Sequence, residues 1–357
     1  MKTPFPVVSV SGSRYECGVQ HGEQVGDLVK QNIEYYYGWW ERNLKMTRST
    51  VNERTDTVIR VVKEYDTGLV EEMRGIADAT GSHLEEIVSI NGRYELAWAQ
   101  PEQLMGGCTC VAALPGVTKS GNTLLAQNWD YRLGVKDTCI VLKAKIGDGP
   151  TAIMHTEAGI IGHKGLSSNG VGIVLNAMVS DRDRLGESVP FFLVCRKMLD
   201  SDRFSESVRA FLNARRSVSY NIMVAGEGVV VNLEAHPDDV SVIYPEEGVL
   251  THTNHFIGDR AFKVKDNFVL SEPSSINRYS KALDMMRTIK GHSVESLKMV
   301  LTDHYDHPTS ICYHPSPEHG ADHQEETVSS VILVPERRLF MATHGPPCSN
   351  KYHTISF

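Results

Sequence analysis

A Gly-Gly-Cys-Thr-Cys run, Gly106 to Cys110, breaks the middle of the chain and is followed by Asn128-Trp129-Asp130-Tyr131. A cysteine thiol is an intrinsically strong nucleophile, but near neutral pH it needs a base within hydrogen-bond reach to become a thiolate. If the Gly107–Cys108 bond breaks, Cys108 gains a free α-amine with a pKa of about 8, which serves as base for its own thiol. No partner histidine is then required. The thiol itself can open that bond by attacking the Gly107 carbonyl, an N-to-S acyl shift whose thioester water then releases. Glycine at 106 and 107 suits such a cut, because no Cβ obstructs the carbonyl in a strained turn. The bland readings are a buried structural cysteine for Cys108, a turn or capping carboxylate for Asp130 and an Asx-turn amide for Asn254.

A second group of side chains could hold a metal. Asp303-His304-Tyr305-Asp306-His307 is followed by His314, His319 and Asp322-His323, and imidazoles and carboxylates at such spacings are transition-metal ligands. Pro308, Pro315, Pro317 and Gly320 favour a solvated loop instead, and neither a metal nor any other cofactor is expected. Gly165 to Gly172 is glycine-rich but lacks the Lys-Ser/Thr ending of a phosphate loop, so it reads as a turn between strands.

The elements that must position these residues change character at Cys108. Before it, apolar residues recur at helical spacing over Cys17 to Gly38 and Thr55 to Ala79, with Gly81 placed as a stop and a short helix expected over His83 to Asn91. After it come short apolar runs bounded by Gly, Pro and Asn: Cys110 to Leu114, Thr123 to Gln127, Cys139 to Ala144, Ile153 to His155, Gly172 to Asn176, Ile222 to Ala225, Val229 to Ala235, Val240 to Tyr244, Val328 to Val334 and Leu339 to Thr343. These read as strands. Helical stretches over Val189 to Asn213, Ile276 to Lys290 and Val294 to Thr302 interrupt them. Alternating blocks of this kind suggest antiparallel sheets packed face to face and covered by helices.

Composition removes several classes of function. The 357 residues, 41% hydrophobic and 22% charged, are ordinary for a globular chain, and a net charge of −8 without basic blocks argues against nucleic acid or an anionic bilayer as partner. No apolar run is long enough to span a membrane, and the first residues lack the pattern of a secretory signal. Seven scattered cysteines argue against a disulfide framework, which makes a reducing, cytoplasmic setting the expectation.

The order of several short stations resembles the acyl-coenzyme A:6-aminopenicillanic acid acyltransferase family, a branch of the N-terminal nucleophile hydrolases. They are Gly75-Ile76-Ala77 with Gly81; Gly107-Cys108-Thr109; Gln127-Asn128-Trp129-Asp130; Gly165 to Gly172; Thr253-Asn254-His255-Phe256; Ser310-Ile311-Cys312; Thr327 to Val331; and Gly345-Pro346-Pro347-Cys348. The resemblance implies an α+β fold, a four-layer αββα sandwich with two antiparallel sheets between helical layers. It implies one compact precursor cut autocatalytically before Cys108 into residues 1–107 and 108–357, which stay paired without a covalent link. Cys108 is then nucleophile and processing site with Gly107, Asp130 orients or charges the α-amine, and Asn254 donates to the oxyanion, where loss of one donor costs ~10²–10³ in rate. Thr109, Cys110, Tyr131, His255, Arg278 and Ser310 are candidates for the substrate pocket. Arg278 is also the one position offered for the family's catalytic arginine. Cys110 stands where fungal members carry a hydroxyl residue.

The expected activity is cleavage or transfer of an acyl group between an amide or thioester and water or an amine, with amide hydrolysis favoured. The expected partner is a small N-acyl molecule or peptide, or acyl-coenzyme A, and self-association is left open. Two alternatives compete: a non-catalytic metal-binding module built on His304 to His323, and an unprocessed thiol hydrolase pairing Cys108 with His252 or His255.

Overall fold

A computed structural model describes residues 3–96, 106–259, 263–318 and 320–357. Helices α1 (Arg14–Trp39), α2 (Arg48–Thr80), α3 (Leu84–Asn91) and α4 (Arg93–Leu96) follow strand β1 (Val7–Gly12). Then come β2 (Cys108–Ala113), β3 (Leu124–Arg132), β4 (Cys139–Ile146), β5 (Thr151–Glu157), β6 (Gly165–Ser167), β7 (Gly172–Ala177), α5 (Phe191–Leu199) and α6 (Phe204–Asn213). The chain continues through β8 (Tyr220–Gly226), β9 (Val229–His236), β10 (Asp239–Ile243), β11 (Val249–His252), α7 (Asn267–Ser271), α8 (Ser274–Thr288) and α9 (Val294–Leu301). It closes with β12 (Glu325–Val334), β13 (Leu339–Ala342) and β14 (His353–Ile355). The class is α+β, with two sheets and helices. Among the described residues no helix is long and apolar enough to cross a membrane.

The chain divides into two compact units, and neither follows the boundary at Cys108. The first contains Met1–Leu104, Asp137–Asn169 and Asp183–Val218. Its strands run β1-β4-β5-β6, with β1 parallel to β4 (Val7 opposite Val141) and the other pairs antiparallel. That parallel pair departs from the expected all-antiparallel sheet. A capping box starts α1: the Glu16 N–H donates to Ser13 Oγ, and the Ser13 N–H donates back to Glu16 Oε2 at 2.8 Å. Helices α1 and α2 touch backbone to backbone where Gly18 and Gly75 meet. A Cβ on Gly18 would fall 2.0 Å from the Glu72 carbonyl oxygen, so only glycine fits. Gly81 ends α2 at φ +67°, the stop that its sequence position implies. The expected single helical run over Val189 to Asn213 is broken into α5 and α6 between Asp200 and Arg203.

The second unit contains Met105–Lys136, Gly170–Arg182 and Ser219–Phe357. Strands β7-β8-β9-β10 form one antiparallel ladder, and a six-stranded sheet runs β11-β2-β3-β12-β13-β14. Period-2 alternation sorts β2 into two faces. Val111 and Ala113 join Leu124, Ala126, Ile332 and Val334 in an apolar layer against Ala282 and Met286 of α8 and Leu297, Val300 and Leu301 of α9. The opposite face turns toward β7. There the Gln127 side chain donates to the Leu175 carbonyl (2.7 Å) and accepts the Leu175 N–H (3.1 Å), satisfying a buried backbone pair across the sheets. Gly170, at φ +82°, turns the chain from β6 into β7, as expected of that glycine-rich run.

Candidate active site

Cys108 opens β2 beside β3, with Cys108 opposite Trp129 and Cys110 opposite Gln127. This register brings the Gly107 peptide against Asp130, whose backbone N–H donates to the Gly107 carbonyl oxygen at 2.8 Å. Both glycines are forced by crowding. A Cβ on Gly106 would fall 2.5 Å from the Tyr131 ring, and one on Gly107 would fall 2.8 Å from Asp130 Oδ2. Neither is at positive φ, so close approach rather than left-handed backbone explains them.

The Cys108 N–H donates to Asn254 Oδ1 at 2.9 Å, and the Cys108 carbonyl accepts from Arg278 Nη1 at 2.7 Å and Asn176 Nδ2 at 3.2 Å. Arg278 also reaches Thr109 Oγ1 (3.2 Å) and Asn254 Oδ1 (2.9 Å), so one guanidinium fork fixes the Cys108 carbonyl and two side chains next to it. It lies on α8 and is buried. With two donors converging on Oδ1, the Asn254 amide orientation is settled. Its Nδ2 donates one hydrogen to the Ala177 carbonyl at 2.9 Å. The second hydrogen remains for another acceptor. Asn176 is itself held by Asn221, which donates to Asn176 Oδ1 at 2.9 Å and to Asn232 Oδ1 at 2.8 Å.

Asp130 is fully buried. Its Oδ1 accepts from the Thr327 hydroxyl at 2.6 Å, and Oδ2 has no hydrogen-bond partner among the described residues. Burial pushes the carboxyl up to about 6, against the opposing pull of the Arg278 charge and the Thr327 hydroxyl. Thr327 is placed by Tyr313, whose N–H donates to Thr327 Oγ1 (2.9 Å) and whose carbonyl accepts the Thr327 N–H (3.1 Å).

Of the residues picked from sequence, Gly107, Cys108, Thr109, Asp130, Asn254 and Arg278 come together here. Cys110 is buried with its thiol toward the Leu175 carbonyl at 3.6 Å, one sheet-facing position further along β2. Tyr131 stacks on Trp129 with ring centroids 5.6 Å apart and packs where Gly106 passes. His255 is bound to Ser275 Oγ at 2.8 Å, and burial with the His252 and Arg278 charges pushes its imidazole down to about 4. Ser310 does not join the cluster: its hydroxyl donates to the Cys312 carbonyl at 2.6 Å and shapes a turn. His252 engages Thr253 O and Glu234 Oε1 through its two ring nitrogens, at 2.6 and 2.9 Å, and is committed away from a base role toward Cys108. His319 lies outside the described residues.

Sequence reading missed Asn176, Ser275 and Tyr313 as supports of this site. Asn176 carried a signal, a polar residue inside the apolar run that became β7. Ser275 and Tyr313 carried none, since both act through contacts made by distant segments.

A family model described as acyl-coenzyme A:6-aminopenicillanic acid acyl-transferase matches residues 117–339. The chain belongs to that family. The matched stretch begins after Cys108, so the nucleophile assignment rests on the site rather than on the match. Among curated relatives, the 40 kDa form of acyl-coenzyme A:6-aminopenicillanic-acid-acyltransferase of Emericella nidulans is 28% identical over 307 residues, covering 85% of this chain and 84% of that protein. An N-acylethanolamine-hydrolyzing acid amidase of Caenorhabditis elegans is 26% identical over 135 residues, 36% of this chain and 37% of the relative. Solved structures similar to this family member include penicillin V acylase from Agrobacterium tumefaciens, at 11% identity and TM-score 0.43 over 70% of this chain and 86% of that one. A conjugated bile acid hydrolase mutant from Clostridium perfringens matches at 12% and 0.43, over 70% and 97%.

Proposed function

We propose that this protein is a self-processing cysteine amidohydrolase and acyltransferase whose nucleophile is Cys108. The observation that carries the reading is the convergence on one peptide bond: the Gly107 carbonyl held by the Asp130 N–H, the Cys108 nitrogen held by Asn254, and a buried Asp130 carboxyl beside both.

The Cys108 thiol adds to the Gly107 carbonyl carbon, and the oxygen that becomes anionic already accepts from the Asp130 N–H. The thiol proton passes to the departing Cys108 nitrogen as the C–N bond breaks, leaving a thioester between Gly107 and Sγ. Water hydrolyses it, giving a Gly107 carboxylate, a free thiol and a free α-amine. That amine stays within reach of Asn254 Oδ1 and takes the thiol proton in each later turnover. A substrate amide or thioester then acylates Sγ, with the second hydrogen of Asn254 Nδ2 donating to the oxyanion. Water or an amine removes the acyl group. Arg278 and Asn176, both on the Cys108 carbonyl, hold the nucleophilic residue in register through both reactions.

The two curated relatives are named for acyl transfer and for amide hydrolysis, and one thioester serves both outcomes. A small N-acyl molecule, with acyl-coenzyme A as alternative donor, is the substrate class this chemistry takes. The test is intact mass measurement before and after an activated acyl donor. Two chains, the larger beginning Cys-Thr-Cys and gaining one acyl mass, are expected. Full turnover by an unbroken chain, or with alanine at 108, overturns the reading.

A further inference from the structure

Far along the chain from the nucleophile, four side chains from three segments meet in a way the histidine pattern alone did not reveal. His304 follows α9, Cys312 and His314 lie in the loop leading to β12, and Cys348 sits in the turn between β13 and β14. One ligand atom from each lies within 4.8 Å of the others. His304 Nε2 is 3.0 Å from His314 Nε2, and His314 Nε2 is 3.6 Å from both Cys312 Sγ and Cys348 Sγ. We propose that His304, Cys312, His314 and Cys348 bind one zinc ion as a tetrahedral Cys2His2 structural site.

The spacing supports a shared ion over a chance meeting. Bonds of about 2.3 Å to sulfur and 2.0–2.1 Å to nitrogen, at tetrahedral angles, place sulfur about 3.5 Å from nitrogen and two nitrogens about 3.3 Å apart. Two sulfur and two nitrogen donors in such a set select zinc over magnesium or calcium. The ligand segments are already pinned by backbone bonds: Cys312 N–H to Asp303 O (3.0 Å), His307 N–H to His304 O (3.2 Å) and His314 N–H to Pro308 O (3.0 Å). His307 lies beside His314, with centroids 5.4 Å apart and rings tilted by 31°, but supplies no ligand atom to the group. Binding exchanges two thiol protons for the dication, so Zn²⁺ and two Cys-SH give a neutral centre and two H⁺ in solvent.

The site ties two loops to the strand behind Asp130. Ile311 O accepts from Asn128 Nδ2 at 2.8 Å, and Tyr313 positions Thr327, which donates to Asp130. The ion therefore braces the processing site without touching it.

The full-length protein, purified under reducing conditions, loaded with Zn²⁺ and desalted, should retain one zinc per chain by elemental analysis. Cobalt loading should give the thiolate charge-transfer absorption of a tetrahedral Cys2His2 centre. Changes to outer partners of zinc ligands alone cost about 10–100-fold in affinity, so Cys348→Ser and His304→Ala should each lose at least about 100-fold. His323→Ala is the control and should retain zinc. Zinc content unchanged in both ligand variants, no zinc retained while both thiols react freely, or a Cys312–Cys348 disulfide in peptide maps of the reduced-purified protein would each overturn the site. Cys348 is exposed and His304 is exposed, so their variants fold without a core defect.

Discussion

In the proposed self-cleavage, the Asp130 carboxyl that burial pushes up to about 6 gives the reaction a pH dependence of definite sign. With the ionised form required to hold the emerging amine, the cleavage rate should rise with pH through a midpoint near 6. Asp130→Asn should remove that limb and slow processing by about 10²-fold or more. Because the Thr327 hydroxyl pulls the carboxyl down, Thr327→Val should move the midpoint upward; a midpoint that stays in place separates Asp130 from the titration. The same raised value carries a stability cost. The folded state holds this proton more tightly than the unfolded chain, so its contribution is best below about 4 and declines as pH rises through about 6. At the neighbouring position, Gly107→Ala drives a Cβ to 2.8 Å from Asp130 Oδ2. Processing followed by gel over time should slow by about tenfold or more, the typical effect of misplacing a reacting carbonyl.

Strand pairing carries the site from residue to element. The β2–β3 register sets Gly107 against Asp130, while the alternation of β2 sends Thr109 toward α8 and leaves Cys110 facing β7. Gln127 is the link that holds β3 to β7, and its two bonds to the Leu175 backbone are buried. Gln127→Leu keeps the volume but leaves the buried Leu175 N–H without its acceptor and the Leu175 carbonyl with the Cys110 thiol alone, at about 1–3 kcal/mol for the unmet N–H. Denaturant unfolding should show a loss of about 1–3 kcal/mol, and a variant as stable as the parent would show that water replaces the amide. The strands β1, β6, β11 and β14 were not read from the sequence. β6, β11 and β14 have only three or four residues, and β1 and β11 are defined by partners distant in the chain, β4 and β2.

At the scale of the whole molecule, the proposed cut before Cys108 falls where it would leave the first unit shared between both products. That unit takes α1 to α4 from before the cut and β4, β5, β6, α5 and α6 from after it. The β1–β4 ladder, the buried Glu72–Arg196 contact at 2.6 Å and the Arg93–Glu157 contact at 2.6 Å join the two stretches. The processed chains should therefore elute together on size exclusion and part only in denaturant. Arg196→Ala leaves the buried Glu72 carboxylate to Arg14 alone, at 3.0 Å, and removes the contact that crosses between the two stretches, at a cost of about 1–3 kcal/mol. Its two chains should separate at lower denaturant than the parent's, whereas co-dissociation at the parental midpoint would show that the ion pair contributes nothing to chain pairing.

The sequence by itself determined the residue types and the local pattern: a thiol behind two glycines, a carboxylate ending an apolar run, helices before Cys108 and strands after it. Those features depend on neighbours along the chain, where periodicity and steric freedom act directly. The tertiary structure decided the rest. It brought Arg278 from α8 onto the Cys108 carbonyl, turned Ser310 aside into a turn, engaged His252 elsewhere, and gathered His304, Cys312, His314 and Cys348 from three segments. Such meetings are fixed by strand register and sheet packing over long chain separations, and composition and spacing carry no record of them.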